Sequence, residues 1–439
     1  MNDLLQPWEP SRGDRFDLAK AGHLLRRAGY GGSLSLRLDL VAAGVAAAVD
    51  RVAGPAPAAP LPPPERLQDV IAFGDIARVR AHRVWLALHG EPVLRTRMSH
   101  FWHGHFATSN QKLQDPRAMA LQLATFDGAG LLRFDELLAA MCRDPALLRW
   151  LDNDGNKKGK PNENFARELF ELFTLGRGHY SEADVREAAR CFTGWHVRDG
   201  AFRFAANLHD DGEKELFGAR GRFGGDDVIA AVVARRESAE FLADRWLRCF
   251  VHPEPERVEI DALAAVYERS QRSVYATLTT LLRSRLFFSP RARGAKVKSP
   301  ADFVLGTVRA LGAHAAPMEL AAAMAALGEA WCEPPSVEGW HGERAWLSPA
   351  SWLLRSNFVA DLLAGRTGKL QPAPAALFAR SKTPAEIANR AGVLLLDGAL
   401  AKNDADHLAA VAAAHGADHA AAAVAVLHAA ACLPDYQLA

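Results

Sequence analysis

The sequence of 439 residues contains little cysteine and no C-x-x-C pair. Its five cysteines are scattered and odd in number, which argues against a disulfide framework and against a cysteine zinc site. An excess of one charge is also missing, because 52 basic and 51 acidic side chains give a formal net charge of +1. A nucleic-acid binder needs a basic stripe or patch, so we expect no nucleic-acid partner.

Long hydrophobic runs are missing as well. No stretch approaches the roughly 20 apolar residues of a membrane span, and the opening segment MNDLLQPWEPSRGDRF does not have the pattern of a signal peptide. The sequence as written predicts a cytoplasmic protein, or an extracytoplasmic one if a leader was removed. The G-x-S-x-G, P-loop, dinucleotide and H-E-x-x-H motifs are also absent. The sequence therefore does not indicate a hydrolase, kinase or dehydrogenase of the usual kinds.

Helical periodicity dominates what is present. Residues 16–29 place Leu18, Ala21 and Leu25 on one stripe and end at a glycine, and similar patterns recur through most of the chain. We predict an all-α fold: one compact multi-helix domain over residues 1–439, with alanine-rich C-terminal helices at 370–439 packed on the main body.

Two segments depart from the helical pattern. The Pro-rich stretch PAPAAPLPPPE at 55–65 cannot be helical, because proline lacks the N–H donor and clashes with the preceding turn; it predicts a linker or surface strap. Residues 198–206 alternate around the turn Asp199-Gly200 and predict a small β-hairpin.

The segment NENFARELFELF at 162–173 predicts an amphipathic helix with a polar face that is rich in acids and amides. This face is either an ordinary solvated surface or one wall of a reactive cleft. In the second interpretation, the side-chain oxygen atoms of this face could coordinate a cation or bind a polar substrate. The residues of the polar face that carry these hypotheses are Asn162, Glu163, Asn164, Arg167, Glu168 and Glu171.

Three histidines stand within six residues at 100–105, which is a high density for a chain with 16 histidines. Neutral imidazoles suit zinc, iron and similar metals, but packing of histidine and aromatic side chains at a helix end is the blander alternative. His209-Asp210, with Lys214 nearby, is either a base, a ligand or, more commonly, a capped turn. Trp195 and Trp340 could stack on a substrate, although core packing is the default for tryptophan.

The motifs taken in order resemble a known bacterial family. FWHGHF, KPNENFARELFELFTLG, HDDGEKELFG, VKSPADFVLGTVRALG and EPPSVEGWHGERAWLSP are similar to those of the domain of unknown function 1800 family, nearly end to end. The resemblance favours one compact helical domain. It also implies a candidate partner, a sulfatase-like protein of the domain of unknown function 1501 family, and it assigns no role to any residue.

The leading hypothesis is a metal-dependent enzyme that hydrolyses or oxidises a polar substrate, such as a carbohydrate or a sulfated compound. One divalent metal (Zn, Fe or Mn) would bind His103 and His105 with Glu168 or Glu171, Glu163 would be the general base, and Arg167 would hold an anionic group. The alternatives are a non-catalytic helical scaffold or chaperone and a glycan-binding module. The other candidates are His209 and Asp210 for catalysis, and Asn162, Asn164, Trp195, Lys214 and Trp340 for substrate binding.

Overall fold

The computed structural model describes residues 3–59, 65–371, 373–398 and 400–439, and this part of the chain is mainly helical. The first half contains twelve helices. They are α1 (Leu18–Ala28), α2 (Leu34–Ala43), α3 (Val45–Ala53), α4 (Glu65–Phe73), α5 (Ile76–His89), α6 (Val93–His105), α7 (Asn110–Leu113), α8 (Pro116–Ala129), α9 (Phe134–Cys142), α10 (Pro145–Trp150), α11 (Asn164–Glu168) and α12 (Glu182–Cys191).

The second half continues in the same way. Its helices are α13 (Gly225–Ala234), α14 (Arg236–Phe250), α15 (Arg257–Arg269), α16 (Val274–Arg283), α17 (Pro300–Leu311), α18 (Pro317–Ala326), α19 (Pro349–Leu363), α20 (Pro374–Leu377), α21 (Pro384–Leu395), α22 (Lys402–Ala413) and α23 (His419–Ala431). The prediction of an all-α fold is therefore confirmed. Within the described ranges, no helix is long and apolar enough to cross a membrane.

Strands occur only as three antiparallel pairs in the described part of the chain. They are β1 (Trp195–Arg198) with β2 (Ala201–Phe204), β3 (Lys214–Leu216) with β4 (Ala219–Gly221), and β5 (Ala313–His314) with β6 (Lys369–Leu370). The first pair is the predicted hairpin, shifted by a few residues towards the N-terminus. Asp199 and Gly200 form its turn with positive φ angles, as the sequence indicated.

The Pro-rich segment is described only in part. Residues 55–59 belong to no helix or strand, whereas residues 60–64 of the predicted strap lie outside the described residues. Helix α4 begins at Glu65, which is the last residue of the predicted strap.

Two hydrophobic cores organise the helices. The larger core is built from residues between Phe16 and Ala292 together with Cys332. The smaller core joins α17 to α19 with the C-terminal helices, and α21 and α23 pack against α17 and α19 respectively. The C-terminal helices thus share a core with α17 and α19, while the prediction of a single domain stays a prediction.

Local capping explains where several of these helices begin. Ser181 and Asp184 form a capping box at the start of α12. Ser299 and Asp302 form another at α17, where Pro300 occupies the first turn. This second box fixes the position of Asp302 at the start of α17, near the junction of the two cores.

The segment Leu169–Thr174 continues α11 as a turn of π-helix. Its end exposes the carbonyl groups of Leu172 and Phe173, which cannot be satisfied within the helix. Arg245 on α14 donates to the Leu172 carbonyl at 3.2 Å, and the His105 Nε2 lies 3.0 Å from the Phe173 carbonyl. The polar helix is therefore attached to α6 and α14 through its backbone.

Candidate functional site

A cavity of about 270 Å³ lies at the junction of the two cores. It is bounded by α1, α6, α14, the start of α17 and the irregular segment at 329–346. Its wall carries histidine, arginine, lysine, carboxylate and tryptophan side chains. The polar and aromatic lining residues are Arg27, Arg97, His100, His105, Arg245, Arg248, Lys296, Ser299, Asp302, Glu329, Glu338, Trp340, Glu343 and Trp346.

A histidine–carboxylate pair stands on this wall. The His100 Nε2 lies 3.1 Å from Oε1 of Glu329, whose side chain is 1% exposed. Glu329 is itself fixed, because its Oε1 accepts from the Trp331 indole at 3.0 Å and its Oε2 accepts from the Ala301 N–H at 2.8 Å. This distance makes Nε2 the ring nitrogen that faces Glu329, and Nδ1 makes no hydrogen bond within the described residues.

Trp340 completes the surroundings of His100. The two rings are stacked with centroids 6.0 Å apart and an interplanar angle of 21°. Gly339, with φ +86°, brings the segment against α6 so closely that a Cβ would lie 2.5 Å from the Gly104 carbonyl oxygen. Only glycine fits that approach, and the predicted substrate-binding residue Trp340 reaches the cavity as a result.

Some charges in the cavity wall are matched by opposite charges. Arg97 donates to Asp302 at 2.6 Å, and Lys296 pairs with Glu343. Burial raises the pKa of Asp302, but the charge and hydrogen bond of Arg97 outweigh it, so the net pKa is lowered. In each of these two pairs the positive charge is balanced by the carboxylate, so neither pair has an unbalanced charge to offer a ligand.

Within the part of the chain that the structure describes, two cations in the wall have no carboxylate partner. Arg27 is 1% exposed and donates only to the carbonyl groups of Val251 and Ala292, at 3.1 and 2.9 Å. Arg245 donates only to the Leu172 carbonyl, and the Nε atoms of both arginines are buried without a partner. Burial lowers the pKa of each arginine, as expected for a cation removed from water without a counter-charge.

The predicted metal ligands do not form a metal-binding group within the described residues. His103 is 2% exposed and its Nε2 accepts from the Cys332 N–H at 2.9 Å, whereas the Nε2 of His105 is bonded to the Phe173 carbonyl. Burial lowers the pKa of His103 to about 3 and lowers the pKa of His105 well below its usual value. No group of three or more His, Cys, Asp or Glu side chains in the described ranges is placed to hold a metal ion, so the structure does not bring His103, His105 and Glu168 together.

Two acids of the 162–174 segment, Glu163 and Glu171, are partly buried and paired away from the central cavity. Arg167 pairs with Glu163 at 3.1 Å and with Glu182 at 2.8 Å. Glu171 accepts from Arg177 at 2.5 Å and from the Tyr180 hydroxyl at 3.0 Å. All of these residues are described, and none of them lines the central cavity.

Glu168 differs from these neighbours. It is half-buried and makes no hydrogen bond or ion pair within the described residues. Burial, and then the charge of Glu171, raise its pKa, and the charge of Glu338 at the cavity wall adds to the effect. Glu168 therefore lies near the rim of the cavity without lining it.

The two predicted substrate-binding amides of this segment hold the preceding loop. The side chain of Asn162 donates to the Asp152 carbonyl at 3.0 Å, and that of Asn164 donates to the Leu151 carbonyl at 3.1 Å. Their amide groups are thus occupied by the protein backbone.

The predicted residues around 209 form a capped turn. The Nδ1 of His209 lies 2.8 Å from the Thr193 carbonyl, and Asp210 accepts from Arg190 at 2.8 Å. The hydrogen bond from Arg190 lowers the pKa of Asp210 to about 2, against the effect of burial. Lys214 donates to the carbonyl groups of Asp210 and Gly212.

Trp195, also predicted to bind substrate, is 4% exposed. It packs against Phe192 and Phe202, and the Arg143 guanidinium lies 4.7 Å from its ring centroid. The default expectation of core packing therefore describes this residue.

Sequence reasoning selected His105 and Trp340 of the cavity wall but did not select His100 or Glu329 as site residues. His100 stands in the same cluster as His103 and His105, and Glu329 and Trp331 lie just before the motif that contains Trp340. Their proximity to two quoted motifs was the only available signal. Arg27, Arg97 and Arg245 carry no local pattern that distinguishes them from other arginines.

The fold and the cavity define a class: an all-α protein in which a partly exposed histidine faces a buried carboxylate, beside arginines without a carboxylate partner in the described residues. The chain belongs to the family described as protein of unknown function (DUF1800), whose model matches residues 23–438. The comparisons with curated proteins and with solved structures found no match.

Proposed function

We propose that this protein is an enzyme that performs acid–base chemistry on a small organic anion in the central cavity. The observation that carries the proposal is the His100–Glu329 pair, which stands in one wall with Arg27 and Arg245. A buried carboxylate that orients an imidazole is the arrangement used to prepare a histidine as a general base.

His100 would take a proton through Nδ1. Glu329 would accept from Nε2 and so fix the tautomer with a free lone pair on Nδ1, and it would stabilise the imidazolium that forms after proton transfer. Glu329 acts through His100 and is a positioning residue.

We infer that the substrate is an anion because two arginines in the cavity wall lack carboxylate partners among the described residues. Arg27 and Arg245 are desolvated cations without carboxylate partners, and a bound sulfate, phosphate or carboxylate group would supply the missing charge. The sulfated compound expected at the sequence level belongs to this class. The tryptophan ring of Trp340 offers a face on which the organic part of the substrate would stack.

The geometry favours His100 over the residues selected at the sequence level. His103 and His105 are buried and bonded to backbone groups, and Glu163 is committed to an ion pair with Arg167 on the surface. His100 is a histidine of the cluster that both lines the cavity and has a carboxylate partner.

The test is turnover of 4-nitrophenyl sulfate and 4-nitrophenyl phosphate by the wild-type protein and by His100→Gln. We expect the substitution to lower kcat by on the order of 10²- to 10⁴-fold, the usual contribution of one acid–base group. Glutamine retains a donor for Glu329 but has no titrating nitrogen.

His209→Gln is the matched control, because His209 lies outside the cavity and should leave turnover unchanged. Equal turnover by the wild-type protein and His100→Gln would contradict the proposal, and so would the absence of turnover with both esters.

A further inference from the structure

Three lysines are buried in the described part of the chain, and one of them has no polar partner. Lys20 pairs with Asp14 at 2.6 Å, and Lys214 donates to the Gly212 carbonyl at 3.2 Å. Lys298 is 5% exposed, yet its amine makes no hydrogen bond and no ion pair within the described residues. A buried ammonium without a partner is costly, so Lys298 needs a separate explanation.

The position of Lys298 is fixed by its backbone. Its N–H donates to the Gln437 carbonyl at 2.8 Å, and its carbonyl accepts from Arg355 at 2.7 Å. The Nζ atom lies 3.5 Å from the ring centroid of Tyr436. The amine is thus held over an aromatic face.

Lys298 lines a second cavity of about 370 Å³, which shares no lining residue with the central cavity. Arg26 and Asp397 also line it, and these two residues pair with each other. At its exposed side stands Arg293, whose guanidinium makes no hydrogen bond or ion pair within the described residues. Lys298 also lines an adjoining cavity of about 30 Å³ together with Tyr436. Two cationic side chains without a hydrogen bond or ion pair in the described part of the chain, Lys298 and Arg293, therefore line the larger cavity.

The surroundings favour the uncharged form of the amine. Burial lowers the pKa of Lys298 well below its usual value, the positive charges of Arg26 and Arg355 lower it further, and the carboxylates of Asp397 and Asp302 oppose the change. A lysine amine that is neutral near pH 7 is a nucleophile.

We propose that Lys298 forms an imine with a small 2-oxo acid, whose carboxylate is held by Arg293. The Nζ lone pair attacks the carbonyl carbon, and a proton passes from nitrogen to the carbonyl oxygen to give a carbinolamine. Loss of one water molecule then gives the carbon–nitrogen double bond. Nothing is oxidised or reduced in this step, and it is independent of the chemistry proposed for His100.

The full chain would be incubated with glyoxylate and sodium cyanoborohydride, which reduces the imine and traps a carboxymethyl group on nitrogen. Peptide mass mapping would compare Lys298 with the exposed lysines Lys157 and Lys382. We expect Lys298 to be labelled at least about tenfold faster near pH 7, because its lowered pKa leaves a larger share of its amine unprotonated and able to attack the aldehyde. Labelling of Lys298 at or below the rate of the exposed lysines would overturn the proposal.

Arg293→Ala tests the carboxylate part without altering the buried amine. We expect it to slow labelling of Lys298 by glyoxylate several-fold and to leave labelling by acetaldehyde, which has no carboxylate, unchanged. Unchanged labelling by glyoxylate would overturn the assignment to a 2-oxo acid, as would an equal loss with both aldehydes.

Discussion

The polar face of the 162–174 segment and the wall of the central cavity both contain arginines and carboxylates. The two regions differ in whether the arginines pair with the carboxylates. On the polar helix, Arg167 meets two carboxylates and is partly exposed. In the cavity, Arg27 is buried, Arg245 is partly buried, and neither meets a carboxylate within the described residues. The helix has the richer acidic motif, but the cavity holds the unmatched charge, and unmatched buried charge is the better indicator of a ligand.

The sharpest contrast between the two regions is in stability. Arg97→Met would leave Asp302 buried without its partner, and loss of one member of a buried pair costs about 3–5 kcal/mol. Arg167→Met removes partly exposed pairs, which contribute little. We expect chemical denaturation to show a large fall in the free energy of unfolding for Arg97→Met and a value near wild type for Arg167→Met.

Arg235→Met is a second surface control, since Arg235 pairs with Glu237 in a partly exposed setting. Equal losses at Arg97 and Arg167 would remove the distinction between the two regions.

We expect acid to lower the free energy of unfolding through the buried histidines near the cavity. The pKa of His103 is about 3 in the folded protein, against 6.5 for an ordinary histidine, so the unfolded chain binds more protons between these values. Stability is therefore full above about pH 6.5 and falls as the pH drops towards 3. His105 contributes in the same direction, because burial lowers its pKa as well.

Glutamine can replace the hydrogen-bonding nitrogen of each ring without titrating. We expect His103→Gln and His105→Gln to weaken the dependence of the unfolding free energy on pH between about 6.5 and 3, by about one proton for His103. His179→Gln, at an exposed position, should leave the slope as it is. An unchanged slope in the two buried variants would show that these rings do not titrate as the structure implies.

Glu329 in the cavity wall and Glu163 on the polar helix allow the two regions to be compared by their effect on turnover. Glu329→Gln should lower turnover by at least about tenfold, because the amide cannot orient and stabilise the His100 imidazole as a carboxylate does. It should also move the acidic limb of the pH–rate profile, which a purely structural role would not do. Glu163→Gln, on the polar helix, should change neither quantity.

Local patterns in the sequence were sufficient for the fold class and for several details. The capping box at Ser181 and the turn at Asp199-Gly200 depend on residues close in sequence, and both are present. The acids of the polar helix could equally have been a solvated face, and Glu163 and Arg167 pair there.

The cavity could not be predicted in this way. His100 and Glu329 are brought together by the packing of α6 against the segment that follows α18, across a long separation in sequence. The lack of a carboxylate partner for Arg27 or Arg245 among the described residues is a property of their folded surroundings, which no local spacing encodes. Trp340 was selected from its motif, but its stacking on His100 depends on the approach of Gly339 to Gly104.

The central claim is that the unmatched arginines bind an anion, and calorimetric titration with inorganic sulfate tests it most directly. Wild-type protein and Arg167→Met should bind one sulfate with the same Kd, and Arg245→Met should bind at least about tenfold more weakly, a change of about 1.4 kcal/mol. Undiminished binding by Arg245→Met, or loss of binding in Arg167→Met, would contradict the account.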